Sequence, residues 1–187
     1  DVELSYNNIG IVYDKQNKYD KALEYYNKAL DIRINKLNKD HPDDEELSYN
    51  NIGEVYQESL DNYINKLGIN HPLVAASYMG MALVYHSQKK YDKALEYYNK
   101  SIATGNITTD SHNNRGILYY DKAKYTKALD DFEMSHSCRK ARLGNDHQDT
   151  KNAFEWIKKC KNLLGHFANA QVIALRFTST MIHPLEE

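Results

Sequence analysis

Cysteine is scarce in this sequence, with only Cys138 and Cys160 among 187 residues. Two cysteines this far apart form neither a Cys-x-x-Cys metal or redox motif nor the disulfide framework of a small secreted protein. We therefore expect a reducing, cytoplasmic setting. The chain begins at Asp1, with neither an initiator methionine nor a signal peptide, so we expect it to be a fragment of a longer protein.

Long hydrophobic runs and an excess of one charge are also missing. The mean hydropathy is −0.76, and no apolar stretch reaches the ~20 residues that a membrane span requires. Lys and Arg number 24 against 26 Asp and Glu, which gives a net charge of −2. A balanced charge provides no strong positive field for a phosphate backbone, so we expect no binding to membranes or nucleic acids.

Catalytic motifs are absent from the sequence. It contains no glycine-rich phosphate loop, no Gly-x-Ser-x-Gly and no His-Glu-x-x-His. His41, His71 and His147 occupy the same connector position, and none has a second His or Cys at metal-ligand spacing. We expect these histidines to stabilise turns, and we expect a chain that is not an enzyme and has no metal or cofactor.

Tyrosine is abundant, with 16 residues, whereas proline occurs only three times. The sequence Ser-Tyr-Asn-Asn-Ile-Gly occurs at residues 5–10 and again at 48–53, and the ten residues 19–28 recur without change at 91–100. Chance does not produce two such matches, so the chain consists of repeats.

Each repeat has the pattern of two helices. The first carries Tyr6, Ile9 and Tyr13, and a polar turn follows at residues 16–18. The second has apolar residues at a spacing of 3.6, namely Tyr19, Ala22, Leu23, Tyr26, Ala29 and Leu30. This pattern predicts an array of helical hairpins.

The sequence resembles the tetratricopeptide repeat family, whose helix-turn-helix units carry an aromatic residue, Leu-Gly, Tyr, and then Ala with a second aromatic residue. The resemblance implies an all-α fold, a superhelix of helical hairpins known as an α-α solenoid. The small residues that match the family's glycine are expected to let paired helices approach closely. They are Gly10, Gly53, Ala82 and Gly116.

The connectors Asp40-His41-Pro42 and Asn70-His71-Pro72 resemble those of kinesin light chain-type repeats. The resemblance extends to about residue 164 and gives units at 1–40, 41–70, 71–105 and 106–146 with a capping helix at 147–164. We expect both cysteines to pack inside, between the last unit and this cap. Residues 165–187 match nothing in the repeat, and their structure is left open.

The second unit is shorter than the others. Its first half matches unit one at an offset of 43 residues and its connector at an offset of 30, so thirteen residues are missing. No Gly or Pro lies between Glu54 and Leu67, and one apolar stripe continues in phase across the join. We predict a fused helix over about residues 44–67. The alternative is a loop omitted between Gln57 and Glu58.

Asparagine pairs recur in the middle of the first helices, although each Asn costs roughly 0.5 kcal/mol there relative to Ala. By resemblance, these positions line the concave surface, where an amide can bind an extended peptide backbone. In unit three, Met79 and Gly80 replace the pair. The candidate peptide-binding residues are Asn7, Asn8, Asn50, Asn51, Met79, Asn113 and Asn114. The alternative is that the asparagines hydrogen-bond between neighbouring repeats.

Repeats that clamp a C-terminal carboxylate have Lys or Arg one turn before these asparagines, whereas this chain has Leu4, Leu47 and Asp110. We therefore predict a non-catalytic scaffold that binds a partner peptide or helix in its concave groove, similar to cargo and adaptor binding by kinesin light chain-type repeats. The alternatives are an architectural or self-associating segment, or the sensory arm of a larger enzyme.

Overall fold

The computed structural model describes residues 2–36, 42–106 and 108–182. In this part of the chain the regular elements are eight α-helices, and there is no strand. The helices are α1 (Val2–Lys15), α2 (Tyr19–Lys36), α3 (Pro42–Leu67), α4 (Pro72–Ser87), α5 (Tyr91–Ala103), α6 (Thr108–Asp121), α7 (Tyr125–Leu143) and α8 (Gln148–Ile182). They form two compact units that divide between Ser111 and His112.

Three turns between paired helices have the same backbone geometry. Their central residues, Asn17, Lys89 and Ala123, have φ values of 57°, 58° and 54°. Each donates its N–H to the carbonyl three residues earlier, at 2.8, 2.9 and 2.9 Å. A left-handed residue that closes such a bond ends a helix, and this confirms the turn predicted at residues 16–18.

The repeated decapeptide builds the same local structure twice. The ring of Tyr25 stacks on Tyr13 with centroids 5.5 Å apart, and that of Tyr97 stacks on Tyr85 at 5.4 Å, both with an interplanar angle of 19°. In both copies, a lysine three residues further on lies 4.8 Å above the stacked ring. The many tyrosines are therefore packing residues of the hairpins.

Glycine sets the closeness of two helix pairs. A Cβ atom on Gly10 would lie 2.8 Å from two ring carbons of Tyr26, and one on Gly116 would lie 2.9 Å from Phe132. Both rings are buried. The prediction of a close helix approach is confirmed at these two glycines.

The same prediction is wrong for Gly53. In the described part of the chain, the one side chain within 4 Å of a Cβ atom added there is Val84, at 3.6 Å, which is an ordinary contact. The shortened unit has no second helix of its own, so α4 packs along α3 instead. In this pair the ring and the glycine have exchanged helices, because the ring of Tyr56 on α3 fills the space where Gly80 on α4 would carry a Cβ atom.

Helix α3 is continuous through Gln57 and Glu58. Arg33 binds both Glu3 near the start of α1 and Ser48 near the start of α3, which shows that α3 runs parallel to α1.

Helix α4 runs antiparallel to α3. The Asn50 side chain pairs with Gln88 at 2.9 Å, whereas Ser59 pairs with Ser77 at 3.1 Å. Helix α4 is the first helix of the third repeat, and it therefore runs in the opposite direction to α1 and α3, the first helices of the two repeats before it.

Helix α8 packs on α7 through Ala153, Ile157 and Cys160, and Trp156 stacks on Phe132 at 5.3 Å. It extends to Ile182, well beyond the residue 164 expected from the repeat pattern, since the first proline after Gln148 is Pro184.

The two cysteines differ in exposure. Cys160 is buried as expected, whereas the expectation of a buried Cys138 is wrong. Cys138 is only partly buried, because it lies one turn beyond Ser135, the last buried residue of α7.

We predict opposite effects for two glycines within the same hexapeptide. Gly10→Ala forces the Tyr26 ring to move and should destabilise the fold by about 1–3 kcal/mol. Gly53→Ala has room and a better helix former, so it should be neutral or stabilising by up to about 1 kcal/mol. Urea unfolding followed by circular dichroism measures both values, and equal losses of stability would contradict the packing described here.

Candidate functional site

The asparagines of α1 and α3 differ in exposure and in their hydrogen bonds. Asn51 donates its side-chain amide to the Asn7 oxygen at 3.1 Å, which links the two helices. This is the inter-repeat bond expected in the alternative interpretation of the pairs. Asn8 and Asn50 are both exposed, and the side-chain oxygen of Asn50 accepts a hydrogen bond from Gln88 on α4 at 2.9 Å.

Asn50 borders a groove of about 320 Å³ between α3 and α4. Its apolar lining consists of Tyr49, Gly53, Met81, Val84 and Tyr85. Its polar lining consists of Asn50, Glu54, Gln57 and Gln88. The groove is open to solvent and combines aromatic surface with hydrogen-bonding groups.

The groove lies beside a glycine that no aromatic ring covers. Tyr26 covers Gly10 and Phe132 covers Gly116, but only the smaller Val84 approaches Gly53. The volume that a ring would occupy is therefore left open beside Gly53.

The exposed side of α3 is acidic. Among the side chains that the structure describes on this helix, Glu46, Glu54, Glu58 and Asp61 are exposed, with Lys66 as the one exposed lysine. Burial, together with the charges of Asp14 and Glu54, raises the pKa of Glu58, and burial alone raises the pKa of Asp14. Burial also raises the pKa of Tyr26 to about 12, and the three carboxylates contribute to this shift. These shifts show that negative charge is concentrated where α3 adjoins the α1–α2 hairpin.

Asn8 lies in a shallow depression on α1 with Ile9, Val12 and Tyr13. Ile9 is 37% exposed and Val12 is 53% exposed. Their counterparts in α3 are buried in a cluster that includes residues of α2. The exposed face of α1 is thus an apolar surface with an accessible amide beside it.

Met79, in contrast, is half-buried on the reversed helix α4 and does not continue the series that begins on α1 and α3.

In the second of the two compact units, which begins at His112, Asn113 accepts a hydrogen bond from Arg139 at 3.2 Å, and Asn114 is half-buried. Next to them, the buried carboxylate of Asp131 accepts bonds from Arg115 at 2.6 and 2.8 Å and pairs with His112 at 2.6 Å. The bond to Asp131 raises the pKa of the Arg115 guanidinium.

Sequence reasoning missed this buried ionic cluster, although the repeat alignment contains the signal. His112 and Asp131 stand where unit one has Tyr6 and Tyr25, whose rings are 6.0 Å apart. Arg115 stands in a position that is apolar in the other units. The ionic cluster replaces an aromatic pair, which indicates a structural role for it.

Models of tetratricopeptide repeats match residues 4–35, 48–104 and 108–149. The chain belongs to the tetratricopeptide repeat family. The repeats of this family build protein-interaction scaffolds, and proteins of the family are generally non-catalytic. A search of curated proteins finds no match.

Two solved structures show the same solenoid fold. BtubC (BKLC) from P. vanneervenii is 21% identical, with a TM-score of 0.55 over 95% of this chain and 81% of that protein. Repeats described as a putative kinesin light chain from Podosopora anserina are 16% identical, with a TM-score of 0.50 over 94% of this chain and 92% of theirs. The likeness to kinesin light chain-type repeats thus holds for the fold.

The connector histidines of this tetratricopeptide repeat chain cap helices. The Nδ1 atoms of His71 and His147 each accept the N–H two residues further on, at 3.2 Å. The predicted turn role is confirmed for both, and His41 lies outside the described residues.

Among the residues that the structure describes, no three His, Cys, Asp or Glu side chains are grouped to hold a metal ion. No described helix has the length and hydropathy to span a membrane.

The acidic residues near Tyr26 predict a pH effect on stability. The pKa values of Asp14 and Glu58 are raised in the folded chain, so folding favours their protonated forms. This contribution is present below about pH 4, the unfolded value, and is lost as the pH rises through the folded values. The variant Asp14→Asn/Glu58→Gln should therefore raise the melting temperature by a few degrees at pH 7 and by much less at pH 3.5. Thermal unfolding at both pH values tests this, and an equal rise at both would exclude charge as the cause.

Proposed function

We propose that this chain is a non-catalytic scaffold that binds a peptide or helix of a partner protein through the exposed amides of its first helices. A cytoplasmic location, which the cysteine content favours, belongs to this proposal. The observation that supports it is the arrangement on α1 and α3. The Asn7–Asn51 bond links the two helices, Asn8 is exposed, and Asn50 is exposed with its side-chain oxygen bonded to Gln88.

The chemistry of this surface suits a peptide backbone. A primary amide both donates and accepts hydrogen bonds, so Asn8 can bind a backbone N–H or C=O group of a visiting chain. The Asn50 oxygen accepts from Gln88, so Asn50 can donate its amide N–H to a backbone C=O group. Apolar surface lies next to both amides, with Ile9 and Val12 beside Asn8 and the α3–α4 groove beside Asn50. We also propose that Met79 of α4 contacts a peptide, and that Asn113 and Asn114 do so within the second compact unit, taken by itself.

Asn7 and Asn51 serve a different purpose in this proposal. Their mutual bond positions α1 against α3, so their role is to stabilise the surface rather than to contact the partner directly.

The test starts from random peptides displayed on phage and selected on the wild-type chain. The triple variant Asn8→Ala/Asn50→Ala/Asn114→Ala should bind the selected peptides at least about tenfold more weakly, which corresponds to ~1.4 kcal/mol for the lost amide bonds. Fluorescence anisotropy with labelled peptides gives the affinities. The control is Asn27→Ala/Asn162→Ala, which removes two exposed amides from α2 and α8. Unchanged binding by the triple variant would remove the asparagines from the proposal.

Self-association is a second candidate function, and one observation favours it. Leu67, Ile69 and Leu73, at the turn between α3 and α4, are 46%, 56% and 41% exposed. An apolar tip of this kind is a common contact between copies of a chain.

Light scattering at increasing concentration tests self-association. Wild-type chain should show a dimer, and Leu67→Ser/Ile69→Ser should return it to a monomer. A wild-type chain that stays monomeric at high concentration would leave the α3–α4 tip without this role.

A further inference from the structure

We infer that the α3–α4 groove binds the aromatic side chain of a partner peptide whose neighbouring residues are basic. The inference rests on the proposed scaffold function and names the class of ligand that one part of the surface takes. Three features of the groove lead to it: the missing ring at Gly53, the composition of its lining and the charge of its border.

The missing ring defines the shape of the ligand. Tyr26 and Phe132 show that the glycine position of a hairpin in this chain accepts an aromatic ring in direct contact with the helix backbone. At Gly53 the corresponding volume is occupied only in part, by Val84 at 3.6 Å. The ring of the α3–α4 pair, Tyr56, packs at Gly80 instead, so the volume beside Gly53 remains open to a ring supplied from outside.

The lining of the groove favours an aromatic group over an aliphatic one. Tyr49 and Tyr85 present rings, and Met81 presents a thioether, next to the open volume. Aromatic pairs and sulfur–aromatic contacts add stabilisation beyond the burial of area. The ring of Tyr85 is held in place by its stacking on Tyr97.

The border of the groove determines the charge of the ligand. On the α3 side, Glu46, Glu54 and Asp61 lie on the same exposed arc, and Glu54 lines the groove directly. Of these, Glu46 is paired with Lys90, at 3.3 Å. On the other side, α4 contains no Asp or Glu and no Lys or Arg. On that side, the ammonium of Lys93 on α5 lies 5.2 Å from the ring centroid of Tyr85. Negative charge is therefore confined to the α3 side of the border, so this side attracts a Lys or Arg that flanks the aromatic residue.

Selection of random phage-displayed peptides on the wild-type chain provides the first test. The enriched sequences should carry one aromatic residue with Lys or Arg within a few positions. Enrichment of acidic flanks, or of sequences without an aromatic residue, would overturn the inference.

The second test places an obstacle in the groove. Gly53→Leu fills the open volume, and its Cβ has room in the fold. It should weaken binding of the enriched peptide by at least about tenfold in fluorescence anisotropy. The matched control is Gly165→Leu, because Gly165 also lies within a helix and has no neighbour within 4 Å of an added Cβ atom. If Gly53→Leu binds as well as the control does, the groove is not the site, whereas the scaffold function remains supported by the peptide itself.

The third test changes charge without changing packing. Glu54→Lys should weaken binding of a basic peptide severalfold, and the loss should diminish at high salt. Glu96→Lys, the same exchange at an exposed residue of α5, is the control. Equal binding by both variants at low salt would overturn the assigned charge preference. If the wild-type chain selects no peptide at all, both the groove inference and the scaffold proposal fail.

Discussion

An aromatic ring pressed against a glycine of the neighbouring helix is the contact on which the paired helices depend. Glycine removes the Cβ atom that would hold the helices apart, and the ring fills the space with a large apolar surface. The contact occurs between Gly10 and Tyr26, between Gly116 and Phe132, and in reverse between Tyr56 and Gly80. Where it is incomplete, at Gly53, the surface has a groove. The same rule of packing thus accounts for both the tight hairpins and the groove beside α3.

The same short sequence also gives the same local structure at two places in the chain. Ten identical residues on α2 and α5 give stacked tyrosines with the same angle and lysines at the same height above them. In the last hairpin, an ionic cluster around Asp131 replaces the aromatic pair without loss of burial. Repeats tolerate such exchanges because each hairpin is packed mainly by its neighbours in the chain.

Much of this fold can be predicted from the sequence, because the hairpins are specified by short-range signals. The spacing of Tyr19, Ala22 and Tyr26 predicts a helix, and the polar residues at 16–18 predict the turn before it. The connector histidines follow from their constant place in the pattern. These features depend on residues within about one repeat of each other, which a linear sequence displays directly.

What the sequence did not predict depends on the choice of neighbour in space. Gly53 stands in the same hexapeptide as Gly10, yet it faces Val84 because the shortened unit brings a different helix against it. Asn50 and Asn51 are adjacent, but Asn50 accepts a hydrogen bond from Gln88 on α4 and Asn51 donates one to Asn7 on α1. The groove results from the way α3 and α4 are paired, and no single segment of the chain encodes it.

The reversal at α4 has a consequence for any chain bound along α1, α3 and α4. A peptide has a direction, and so does the dipole of each helix that it crosses. On α1 and α3 the positive helix ends lie at the same edge, whereas α4 presents its positive end at the opposite edge. A ligand that extends from one part to the other therefore meets opposite polarity, and two short segments of opposite orientation would suit this surface better than one long strand.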